Sequence, residues 1–139
     1  DTLIYRGGET LADGGTGIDT LFVTGASLDL TTLPNTRITD IERIDLSGNG
    51  ANQLKLNVSD LFDLSSSDYV VGANHYQLQV RSTDAQDTDS VVLANSALGT
   101  WSQGATESDG GRTYDIYINS ASTIARLLID QSIDVTVQV

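Results

Sequence analysis

The chain lacks several residue types, and each absence excludes a class of chemistry. Its 139 residues include no cysteine, no methionine, one proline and a single histidine, His75. Without cysteine there is no disulfide, no thiolate nucleophile and no cysteine-based zinc site. The single histidine excludes a metal site built from several histidines. Aromatic residues make up 6% of the chain, with one tryptophan, so there is little material for a sugar-stacking cleft.

Positive charge is also scarce. Seven lysine and arginine residues face 19 acidic ones, which gives a formal net charge of -12. Such a surface repels phosphate backbones and anionic lipid headgroups and attracts cations. No apolar run approaches the roughly 18 residues that a membrane span needs. We therefore expect no nucleic-acid partner and no direct membrane insertion.

The length predicts a single domain over residues 1–139. No initiator methionine or signal peptide is visible, so we expect the chain to be a segment of a longer protein.

Short runs of alternating apolar and polar residues dominate the chain, and each is bounded by glycine, asparagine, aspartate or serine. This pattern is typical of β-strands separated by turns. It predicts strands at 2–5, 20–24, 28–30, 43–47, 53–57, 76–81, 90–94, 113–118, 125–130 and 133–138.

Other segments are predicted to be turns, loops or short helix. Ser59 followed by residues 60–64 predicts a single capped helical turn. Asn119–Ser122 predicts the turn of a hairpin. Within the two longest polar stretches, 82–90 and 102–113, Ser82–Asp89 is predicted to be an acidic loop and Glu107–Arg112 a tight turn before a strand. Trp101 is expected to cap the core.

An internal repeat is visible at the start of the chain. Asp1–Ile4 recurs as Asp19–Phe22, 18 residues later. Further apolar-x-apolar runs follow at looser spacing, at 28–30, 44–46 and 54–56. A drifting repeat is typical of stacked turns of unequal length.

The sequence thus predicts an all-β fold. The first interpretation is a right-handed parallel β-solenoid over residues 1–95, closed by an antiparallel C-terminal meander of residues 114–118, 125–130 and 133–139. An antiparallel β-sandwich is the alternative, since alternation fits both architectures.

The sharpest motif is Gly14–Phe22, which matches the calcium nonapeptide G-G-x-G-x-D-x-U-x at every fixed position. Glycines allow a sharp turn with exposed carbonyl oxygens, and calcium takes six to eight oxygen ligands. The site needs an adjoining turn to complete its shell, and Arg6–Glu9 is the expected partner. A plain glycine-rich turn between strands is the alternative. The candidate calcium ligands are Asp13, Gly15, Gly17, Asp19 and Glu9.

A second acidic group, Asp84, Asp87 and Asp89, is a candidate metal or ligand loop. Three carboxylates so close repel one another unless a cation lies among them. The alternative is a solvated loop, because the spacing matches no calcium loop. Glu107, Asp109 and Asp115 surround a glycine turn that explains them without a function, and His75 is interpreted as structural.

The chain resembles modules of very large RTX (repeats-in-toxin) adhesins of Gram-negative bacteria. The resemblance rests on residues 1–5, 13–23, 41–50 and 56–64, and on the tail at 114–118 and 127–130. It implies a secreted, extracellular protein at the cell surface that depends on calcium. One full nonapeptide stands here where a tandem array is typical of the family.

Three functions follow from the resemblance and the composition. The first is a non-catalytic calcium-binding module that supports or forms the ligand-binding region of an adhesin, with the adhesin's other domains as partners. The second is a direct receptor domain for a peptide or glycan on a host or microbial surface. The third, a polysaccharide-active enzyme on a β-helix, is remote, because no nucleophile motif such as G-x-S-x-G is present. We therefore expect no enzymatic activity.

Overall fold

The computed structural model describes residues 1–8, 11–34, 37–64, 76–83, 88–95 and 99–138. These residues form thirteen strands, a 3₁₀ turn at Leu30–Thr32 and one α-helix, α1 (Val58–Leu64). The strands are β1 (Thr2–Tyr5), β2 (Ala12–Asp13), β3 (Thr20–Val23), β4 (Ser27–Asp29), β5 (Ile38–Thr39), β6 (Arg43–Asp45), β7 (Gln53–Leu56), β8 (Tyr76–Arg81), β9 (Ser90–Leu93), β10 (Trp101–Asp109), β11 (Arg112–Asn119), β12 (Ser122–Asp130) and β13 (Asp134–Val137).

The strands are arranged in three sheets. A seven-stranded sheet has the order β1-β3-β6-β8-β12-β11-β10, a four-stranded sheet the order β13-β9-β7-β4, and β2 pairs with β5. Every pairing among the described strands is parallel except β10 with β11 and β11 with β12. The predicted parallel sheets and antiparallel C-terminal meander are therefore confirmed, and the antiparallel sandwich is wrong.

Two details of the prediction need correction. The parallel part extends beyond residue 95, because β12 pairs with β8 and β13 pairs with β9, both in parallel. The meander consists of β10, β11 and β12, so β13 does not belong to it. The described strands also do not close into a complete solenoid.

The sequence repeat corresponds to a real register. Thr2 pairs with Thr20, an offset of 18 residues. The next pairs in the same sheet are Thr20 with Arg43 and Arg43 with Gln79, at offsets of 23 and 36. The run at 44–46 begins in this seven-stranded sheet, whereas Leu28 pairs with Leu54 in the other sheet. Grouping these three runs as one drifting repeat was wrong, because they alternate between sheets.

The core lies between the seven-stranded and four-stranded sheets. Alternate residues of each parallel strand point inward, and nearly all are fully buried. The inner face of the larger sheet contributes Leu21, Val23, Ile44, Leu78, Val80, Ala125, Leu127 and Ile129, and the smaller sheet contributes Leu28, Leu54, Leu56, Val91 and Leu93. Trp101 is buried in the same cluster, as expected for a residue that caps the core.

The helix and the polar segments differ from the prediction in part. Asn57, not Ser59, caps α1: its side chain accepts from the Asp60 amide, and Asp60 accepts from the Asn57 amide. This reciprocal pair is a capping box. The hairpin turn at Asn119–Ser122 is confirmed.

Residues 102–109, where the sequence predicts no strand, belong to β10, an edge strand with few buried residues. A strand exposed on both faces carries no apolar alternation, so periodicity does not detect it. Among the described residues, no helix has the length and apolar character needed to cross a membrane.

Candidate metal centre

The nonapeptide turn connects β2 to β3 at the N-terminal end of the seven-stranded sheet. Gly15 and Gly17 have φ values of 85° and 102°, in the region that favours glycine. Gly14 is needed for a different reason, because a Cβ there would lie 1.9 Å from the carbonyl oxygen of Asp40. The motif glycines therefore let this turn pack directly against the following one.

Asp19 is the most constrained residue of the turn. Its side chain is 1% exposed, and Oδ1 accepts a hydrogen bond from the amino nitrogen of Asp1. Oδ2 is buried and has no hydrogen-bond partner among the described residues. Buried polar groups are nearly always paired, and a buried carboxylate oxygen without a donor is costly. This oxygen is therefore a candidate cation ligand.

Glu42 lies next to Asp19 and was missed by the sequence analysis. It is fully buried, and its Oε2 accepts from the Asp19 amide at 2.9 Å. In return, the Asp19 carbonyl accepts from the Arg43 amide at 3.0 Å. Asp19 and Glu42, which immediately precede β3 and β6, thus lie side by side at one end of the sheet. A motif match could not reveal Glu42, because its position depends on the pairing of β3 with β6.

The neighbouring turn is not the one that spacing suggests. Arg6–Gly8 follows the C-terminal end of β1, whereas Asp19 precedes the N-terminal end of β3. Because β1 and β3 are parallel, these two positions lie at opposite ends of the strands. The adjoining described turn is Asp40–Glu42. Asp40 has a φ of 53°, a conformation that aspartate tolerates better than most residues. Glu9, the expected ligand from the first turn, lies outside the described residues.

Asp13, the remaining predicted carboxylate ligand, is exposed. Its Oδ1 accepts from the Gly15 amide at 3.0 Å, which closes the start of the turn. Gly15 and Gly17 are exposed, so their carbonyl groups lie at the surface of the turn. Within the described residues, no three histidine or acidic side chains gather into a metal-binding group. A calcium ion here would therefore need carbonyl oxygens beside the carboxylates, a donor set that calcium accepts.

Asp89, from the second acidic group, has a role in the fold. It is buried, its Oδ1 accepts from the Asn52 amide, and its Oδ2 accepts from the Ser82 hydroxyl. Both carboxylate oxygens therefore have partners that join two consecutive turns. Asp84 and Asp87 lie outside the described residues.

Asn52, which precedes β7 and contacts Asp89, holds several turns together and was not singled out from the sequence. Its side-chain nitrogen contacts the carbonyl oxygens of Leu46, Gly48 and Gly50, and its side-chain oxygen accepts from the Ala26 amide. Such a role depends on long-range stacking, so a single asparagine between two turns gives no signal in the sequence.

The third acidic group is divided by the structure. Asp109, at the tip of the β10–β11 hairpin, accepts from Gln79 and faces Arg43, so the hairpin tip is tied to the outer face of the sheet. Asp115 accepts from the Gln131 side chain, and Glu107 lies in β10. His75 lies outside the described residues.

The outer face of the larger sheet also holds two ion pairs, Arg81 with Asp45 and Arg112 with Asp130. Tyr114 lies close to these charges. Burial raises the pKa of its hydroxyl, and the nearby Asp130 raises this pKa further. The two ion pairs give Arg81 and Arg112 a structural role as partners of buried carboxylates.

Neither a scan against protein-family models nor searches of curated proteins and of solved structures found a match to this chain.

Proposed function

We propose that this chain is a non-catalytic, extracellular calcium-binding module of an RTX-type adhesin. In this proposal it supports or forms the region that binds a peptide or glycan on a host or microbial surface. The observation that carries the calcium site is the buried, unpaired Oδ2 of Asp19 beside the buried Glu42. The adhesin context rests on the resemblance of the nonapeptide and the flanking segments.

Calcium would supply structural stabilisation in this site. Asp19 and Glu42 would provide carboxylate oxygens, and Asp13 and the carbonyl groups of Gly15 and Gly17 are the nearest further donors in the turn. Because Asp19 and Glu42 immediately precede β3 and β6, a shared cation would hold these two strands in register. It would also offset the repulsion between two buried carboxylates.

We further propose that the parallel strands are coils of a right-handed β-solenoid. In support, β3 and β4 follow each other into the two larger sheets, and so do β6 and β7, β8 and β9, and β12 and β13. The third side is only partly built, by β2, β5 and α1. The Ile41 amide after β5 donates to the Leu64 carbonyl at the end of α1.

Calcium titration by calorimetry, with melting in calcium and in chelator, tests the proposal. A ligand that binds only the folded state adds about 2.7 kcal/mol at 100 times its Kd, which is several degrees in melting temperature for a domain of this size. We expect Asp19→Asn to abolish this shift, because it removes the carboxylate while it keeps one side-chain oxygen that can accept from the amino nitrogen of Asp1.

Asp134→Asn is the matched control, because Asp134 is an exposed acidic residue in β13. It should retain the full calcium response. Identical melting in calcium and chelator for the unmodified chain would refute the calcium site. A calcium-induced shift that persists in Asp19→Asn would show instead that Asp19 is not a calcium ligand.

A further inference from the structure

A small pocket lies away from the nonapeptide turn, between the 3₁₀ turn, β5 and α1. Its cavity measures about 20 Å³, enough for one water-sized group. The lining is apolar except for two carboxylates, and comprises Leu30, Leu33, Pro34, Ile38, Leu64, Asp60 and Asp63. Concave, apolar sites with a few convergent polar groups are typical of ligand-binding pockets.

The two carboxylates give the pocket a negative charge that no lining residue neutralises. Asp60 is 7% exposed, and its Oδ2 accepts from the Asn57 amide at 2.8 Å. Asp63 is exposed at the rim. Burial raises the pKa of Asp60, the hydrogen bond from the Asn57 amide partly offsets this rise, and the negative charges of Asp63 and Asp29 add to it. A cation in the pocket would relieve both effects.

Size and lining select the kind of cation. An ammonium group is close in size to a water molecule and is compact, whereas a planar guanidinium is larger. The apolar wall suits a methylene stem, which lysine packs along apolar surfaces while its charged end finds a polar partner. A calcium ion needs six to eight oxygen ligands, and the pocket offers two carboxylates. We propose that this pocket binds the ammonium end of a lysine side chain presented by a partner polypeptide.

The proposal is independent of the calcium site, which lies at the end of the sheet where β3 begins. The net charge of -12 supports a cationic partner, because it attracts basic polypeptides by long-range electrostatics. A second copy of this acidic chain is repelled by the same charge.

Methyl NMR in the presence of a chelator tests the pocket directly. The leucine, isoleucine and valine methyl groups are labelled and titrated with the pentapeptide Ala-Ala-Lys-Ala-Ala, blocked at both ends. We expect saturable shifts at Leu30, Ile38 and Leu64 but not at Val91, which lies in the core on β9. The same peptide with arginine or Nε-acetyl-lysine should cause much smaller shifts.

Two further arms separate charge, source and fold. Asp63→Asn should weaken lysine-peptide binding about two- to fivefold, as expected for a partly exposed ion pair, while Asp134→Asn should not change it. Shifts with n-butylammonium but none with the peptide would overturn a polypeptide source. Absence of saturable shifts, equal shifts with the arginine or acetylated peptide, or equal weakening by both variants would overturn the lysine pocket.

Discussion

Replacing Asn52 with alanine should destabilise the fold far more than its position between two turns suggests. Asn52 is 1% exposed. Its side-chain nitrogen donates to three carbonyl groups of one turn, and its side-chain oxygen accepts from the Ala26 backbone amide in the preceding turn. In Asn52→Ala the Ala26 amide and the buried carbonyls of Leu46 and Gly48 lose the hydrogen bonds that the Asn52 side chain makes. A buried polar group left without a partner costs about 1–3 kcal/mol. The carbonyl of the exposed Gly50 can be hydrated instead and should cost little.

We therefore expect Asn52→Ala to lower the free energy of unfolding by about 2–4 kcal/mol, a large fraction of the 5–15 kcal/mol typical of a domain. Urea denaturation measures it, with an unchanged slope as evidence that the folded state stays compact. Asn49→Ala is the matched control in the same turn. Asn49 is exposed and is tied to Thr24 and Gly25 through its backbone alone.

The control should change the free energy of unfolding by less than about 0.5 kcal/mol. Asn52→Asp gives a second check. It keeps an oxygen for the Ala26 amide but loses the donors and adds a negative charge near Asp89, so it should also destabilise. If Asn52→Ala cost no more than Asn49→Ala, the bridging role of Asn52 would be wrong.

Two further predictions concern Asp60 and catalysis. Since the pKa of Asp60 is raised in the folded state, ionising this residue opposes folding, and the stability tied to its protonated form is lost as pH rises through the folded pKa. Asp60→Asn keeps an acceptor for the Asn57 amide, so it should melt higher than the unmodified chain at pH 7, with an advantage that shrinks on acidification. An advantage that grows at low pH would contradict this. We also expect no turnover of polysaccharides or peptides at high protein concentration, and cleavage that disappears on replacing one carboxylate would overturn the non-catalytic proposal.

Local sequence determined most of the strands, because apolar alternation reports which face of a strand is buried. All ten predicted strands exist, β1 and β8 with the predicted bounds. The repeat of Asp1–Ile4 at Asp19–Phe22 also predicted neighbours in the fold, since side chains in matching positions of parallel strands stack on one another. The nonapeptide singled out Asp19 as a candidate ligand because its glycines and aspartate lie within one turn.

Only the tertiary structure decided which distant residues meet. Glu42 reaches Asp19 through a strand offset of 23 residues, and the spacing of one motif carries no information about that offset. Asn52 and Asp89 meet because consecutive turns stack, and the pocket at Asp60 forms where α1 packs beside β5. The seven-stranded sheet ends in β10, whose polar sequence resembles a loop because both its faces are largely exposed. Periodicity reports burial, so it identifies strands that cover a core and misses exposed strands and contacts that depend on how distant strands pair.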